Sequence, residues 1–154
     1  MGKAMFYHLT QRPLEAALPQ LLTASLGRGW NVAVRGPDPA RLSWLDERLW
    51  QGAPDSFLPH GIAGGPHDTE QPVLLTTGEA SNQATVLMTI DGAEVSADEV
   101  NAYERTCVLF NGFEEHAVAQ ARTQWKALTS AGCAAEYWSE ESGRWEMKAE
   151  SAAS

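Results

Sequence analysis

Positive charge is scarce in this chain. Eleven lysines and arginines face twenty aspartates and glutamates, a formal net charge of −9. A body this acidic repels a phosphate backbone, so direct nucleic-acid binding is disfavoured unless cations are focused locally. Cysteine is nearly absent. Cys107 and Cys133 form no CxxC pair, which excludes a disulfide framework and predicts two reduced packing residues. No apolar run approaches the roughly 20 residues that cross a bilayer. The opening residues, up to Phe6-Tyr7, lack the apolar stretch of a signal peptide, and Phe6 stands where a myristoylation pattern needs Ser or Thr. The expectation is a cytoplasmic protein with no membrane partner.

Catalytic signatures are missing too. The nearest approach to a glycine fingerprint, Gly27-Arg28-Gly29, precedes a strand instead of following one and lacks its third glycine. No GxxxxGK[ST] loop and no nucleophile elbow occurs. His60 and His67, with Asp68, match no metal spacing. Glu114-Glu115 stands where a helix dipole favours acid. No cofactor, metal or catalytic residue is expected.

What remains is a globular pattern. Hydrophobic residues make up 44% of 154 residues, enough for one domain with a real core. Ala4–Leu9 reads as a strand and Pro13–Leu26 as an amphipathic helix, bent or begun at Pro19 and stopped by Gly27. Asn31–Val34 is a strand. Asp38 then caps a helix with Pro39 at its first position, and Leu42, Leu45, Leu49 and Trp50 are expected on its inner side. Gln51–Gln71 is a Pro/Gly/His-rich connector. Pro72–Thr77 and Thr85–Ile90 are candidate strands, Ser96–Glu99 a turn or helix start, and Tyr103–Phe110 a strand or a junction. Phe113–Ala131 is the last long helix, and Ala134–Trp138 with Arg144–Met147 a terminal hairpin. Alternating strands and helices predict an α/β domain over residues 1–148: three layers, with a mostly parallel central sheet flanked by helices, Rossmann-like without the nucleotide fingerprint. Residues 149–154 are expected to fray.

Three clusters carry a further signal: Leu45-Asp46-Glu47-Arg48-Leu49-Trp50; Phe57-Leu58-Pro59-His60; and Ala121-Arg122-Thr123-Gln124-Trp125-Lys126, closed by Gly132. With Phe6-Tyr7, their order and spacing resemble the chi subunit of bacterial DNA polymerase III, from about Phe6 to Gly132 and thinly between Gly61 and Phe110. The resemblance implies a non-catalytic α/β adaptor in DNA replication. Members of that family dock on the clamp-loader complex through the psi subunit and bind the acidic, phenylalanine-ended C-terminal tail of single-stranded-DNA-binding protein (SSB). DNA would be met only indirectly, through SSB.

By that likeness the third cluster is the SSB-tail site: Arg122, Trp125 and Lys126, with Phe110 as a pocket wall. Val118 stands where family members can carry a further basic residue. The residues agree. Arg122 and Lys126, four apart, share a helical face, and a guanidinium grips a carboxylate with two parallel hydrogen bonds. The plain alternative is a solvated helix with Trp125 in the core. Trp50, Phe57, Leu58, Pro59 and His60 resemble the surface that faces psi or another clamp-loader component; alternatively Trp50 and Phe57 close the core under the connector. The rival from another class is a small nucleotide- or phosphate-dependent α/β enzyme, which needs a polar pocket at the carboxyl ends of the strands. No such pocket is legible in the sequence.

Overall fold

The computed structural model describes residues 2–11, 13–51, 60–142 and 144–152. Its centre is a sheet built from β1 (Lys3–Leu9), β2 (Val32–Arg35), β3 (Gly61–Ile62), β4 (Val73–Thr76), β5 (Val86–Thr89), β6 (Arg105–Asn111), β7 (Ala134–Ser139) and β8 (Glu146–Ser151). The order across it is β3-β4-β2-β5-β6-β1-β7-β8. Every pairing is parallel except β7 with β8. The expected three-layer α/β architecture is present.

Helices cover both faces because alternate strand residues point opposite ways. Met5, Tyr7 and Leu9 of β1, with Cys107 and Leu109 of β6, pack under α1 (Leu14–Gly27) and α2 (Pro39–Trp50). Ala4 and Phe6, with Val108 and Phe110, pack under α3 (Ala97–Ala102) and α4 (Glu115–Ser130). The central strands read as continuous apolar runs because they are buried on both faces. Cys107 and Cys133 are free and buried, and burial pushes the Cys107 thiol up to about 12.

Local chemistry explains the elements. The Asp38 side chain accepts from the Ala40 N–H at 3.0 Å and Pro39 opens α2. α1 runs unbroken through Pro19; the proline neither starts the helix nor ends it. Ser96–Glu99 is a complete capping box, so α3 is a true helix. Tyr103–Phe110 is a helix–strand junction: Tyr103 ends α3, and β6, which lies between β5 and β1, begins at Arg105.

One expectation is corrected, and two stretches gain detail. Trp50 is 52% exposed instead of facing inward, because Leu42, Leu45 and Leu49 already define the buried stripe and the next residue turns about 100° away from it. β8 continues through Ser151, into the stretch expected to fray; Tyr137, Glu136 and Ala135 pair with Ala149, Glu150 and Ser151 and occupy their backbone groups. The Gln51–Gln71 connector contains the short strand β3 on β4 and a 3-10 turn at Asp68–Glu70. Asp68 ties that loop by accepting from the N–H groups of Gly64 (2.8 Å) and Gly65 (3.0 Å).

Candidate functional site

The basic residues of α4 stand beside an aromatic group that four elements assemble. Register places Phe6 of β1 opposite Tyr137 of β7, and His8 opposite Phe110 of β6. Trp125, half-buried on α4, meets Phe6 edge-on at 5.4 Å and Tyr137 at 6.2 Å. His8 lies flat on Phe110, centroids 5.2 Å apart and planes 9° apart, and leans on Tyr137 at 5.8 Å. Val118 packs against the edge of this cluster. Phe110 is therefore a floor under His8, only 6% exposed.

Arg122 and Lys126 are exposed on α4, and neither makes an ion pair among the described residues. Burial pushes the Tyr137 hydroxyl pKa up while the Arg122 charge pulls it back, so the guanidinium and the phenol lie within electrostatic reach. The result is an unneutralised cation at the lip of an aromatic surface, on a molecule that is otherwise strongly acidic. It suits a ligand with an aromatic end and a carboxylate.

The structure brings Arg122, Trp125, Phe110 and Val118 together around His8 and Tyr137, with Lys126 one turn further along α4. His8 and Tyr137 were not singled out from the sequence; the signal was there, in that both alternate onto the same sheet face as Phe6 and Phe110 once β1, β6 and β7 are aligned. His8 Nε2 is buried without a hydrogen-bond partner among the described residues. Gly112 makes room for it, since a β-carbon there would collide with the imidazole.

The second candidate surface is described only at its ends. Phe57, Leu58 and Pro59 lie outside the described residues. Trp50 is exposed and meets His60 with centroids 4.2 Å apart and planes tilted by 33°. His60 is buried, its Nε2 3.1 Å from Asp46 Oδ1. His67 pairs separately with Glu70 at 3.0 Å, and among the described residues no cluster of three metal-ligating side chains forms.

A third feature was not legible in the sequence. A cleft of about 840 Å³ opens at the carboxyl ends of β1, β5 and β6, walled by the starts of α1 and α4 and by α2. Open α/β sheets hold ligands at this end, and this is the pocket that the enzymatic alternative requires. Its lining is wrong for a phosphate. Glu15, Asp91 and Glu114 contribute three carboxylates, and Arg41 is already held by Asp91 at 3.0 Å.

Among the described residues no helix is long and apolar enough to cross a membrane. No curated protein matches the chain. A family model described as DNA polymerase III chi subunit, HolC, matches residues 1–136, nearly the whole α/β domain. The chain belongs to this family of DNA-replication proteins.

Proposed function

With that membership as premise, we propose that the chain is a non-catalytic adaptor linking the clamp-loader complex to SSB. The acidic, phenylalanine-ended tail of SSB docks on α4. Arg122 takes the terminal carboxylate, Lys126 attracts the aspartates before it, and the terminal ring rests against Trp125, Tyr137 and the His8–Phe110 stack. Trp50 and His60, with Phe57, Leu58 and Pro59, form the surface for psi or an equivalent clamp-loader component. The observation that carries the reading is the unpaired Arg122 beside a ready-made aromatic surface. Val118 in place of a further cation shifts the balance toward apolar contact. A single peptide contact of this kind is on the order of micromolar, about −8 kcal/mol, and gains strength because SSB presents several tails together.

The test is fluorescence anisotropy of a labelled peptide copying the last ten or so residues of the cognate SSB. Wild type binds saturably, and Arg122→Glu weakens binding about tenfold or more, as expected when a charge-assisted contact of about 1.5–3 kcal/mol is lost. Absence of wild-type binding contradicts the tail assignment; undiminished binding by Arg122→Glu moves the site elsewhere.

A further inference from the structure

The cleft at the carboxyl ends of β1, β5 and β6 borders the tail site, and Phe110 lines both. Along α4 it is lined by Ala117, Gln120 and Gln124, whereas Arg122 and Trp125 do not line it. Its chemistry points to a definite kind of occupant. Glu15 and Glu114 line it without a cationic partner among the described residues. Trp44 forms a wall whose indole already receives two guanidinium groups from the chain itself, Arg41 at 4.4 Å and Arg48 at 5.0 Å. Asp91 completes the Arg41 contact. The chain's own arginines thus fill the indole and Asp91, and Glu15 and Glu114 are the carboxylates left for a partner's cations.

Phe113 adds an apolar anchor at the rim. It is 77% exposed, on a backbone that Asn111 fixes. Its own N–H donates to Asn111 Oδ1 at 2.9 Å, and the Glu114 N–H donates to the Asn111 carbonyl at 3.3 Å. A large exposed ring beside a concave site is the usual anatomy of an interface anchor.

We infer that this cleft docks a basic segment of a protein partner. Arginine or lysine side chains reach Glu15 and Glu114, and an adjacent apolar side chain packs on Phe113. The net charge of −9 steers such a segment toward the molecule, and the carboxylates repel nucleotides and acidic tails from the same place. The surface is independent of the SSB-tail assignment and stands or falls without it.

The probe is a fluorescein-labelled peptide of four Arg-Leu repeats, titrated by anisotropy at low salt. Wild type binds it. Glu15→Gln combined with Glu114→Gln weakens binding about fivefold or more, and so does Phe113→Ser, an exposed position where folding is unaffected. A control pair, Glu104→Gln with Glu150→Gln, removes the same charge from exposed positions outside the cleft and leaves binding within about twofold. Arg122→Glu does not weaken it. Equal loss in the control pair means general attraction to an acidic surface and overturns the proposal, as does no binding by wild type or full binding by both cleft variants. The SSB-tail peptide, run alongside, reports separately on the tail site.

Discussion

Arg35 ends β2 with its guanidinium fully engaged: Nε donates to the Gly78 carbonyl at 3.1 Å, Nη1 to the Glu94 carbonyl at 3.2 Å, and Nη2 to Glu99 Oε2 at 2.6 Å. It is 7% exposed, so Arg35→Met leaves two carbonyls and a carboxylate without their donor and costs about 3–5 kcal/mol in urea unfolding. The same pair makes stability depend on pH. The hydrogen bond from Arg35 holds the Glu99 carboxyl below its ordinary value of 4.5. Its contribution is thus complete above that value and disappears as pH falls through the lowered one. Unfolding midpoints measured from pH 6 down to pH 3 should fall more steeply for wild type than for Glu99→Gln. At the tail site, Gly112→Ala pushes His8 off Phe110. We expect about 1–3 kcal/mol of destabilisation together with weaker tail binding, whereas Ala119→Gly, on an exposed position of α4, lowers stability without disturbing the aromatic stack. Arg122, Trp125 and Lys126 were legible in the sequence because a helix obeys its own local spacing. His8 and Tyr137 were not, because what brings them together is pairing between strands about 130 residues apart.

Elements with strong local signals emerged where the sequence placed them. Asp38-Pro39 sets the start of α2, and Gly132 (φ +89) follows α4 in the left-handed conformation that glycine adopts readily. Short elements were less legible. α3 has six residues and β3 two, too few for a hydrophobic period, and β3 exists only because Gly61 and Ile62 lie against β4. The order of the later strands was equally hidden, since parallel pairing depends on crossovers and leaves no turn signature. Because α3 is so short, its cap matters. Ser96→Ala removes the acceptor of the Glu99 N–H and costs about 1 kcal/mol, a fall in Tm of about 2–4 °C for a chain of this size. Differential scanning calorimetry measures it directly; an unchanged Tm contradicts the cap's role.

At the scale of the whole molecule, charge organises what each surface can hold. A net −9 works against an acidic tail everywhere except where cations stand unneutralised, and Arg122 with Lys126 is such a place. Affinity for the tail should therefore fall as salt rises from about 0.05 to 0.2 M, because exposed charges are screened over about a Debye length; binding that does not respond to salt would mean apolar contact alone. Of the six tryptophans, Trp138 and Trp145 pack against the core and the other four stand at different places. Trp125 flanks the proposed tail site, Trp44 walls the cleft, Trp50 lies on the surface proposed for the clamp loader and Trp30 sits apart between Arg28 and Arg105. Each indole N–H gives its own nitrogen-15 resonance, assignable by single Trp→Phe variants. The most direct measurement is a titration of these six resonances with the SSB-tail peptide. The account predicts that the Trp125 resonance shifts saturably while those of Trp50, Trp44 and Trp30 stay in place. A still Trp125, with another indole shifting or with none, would contradict it.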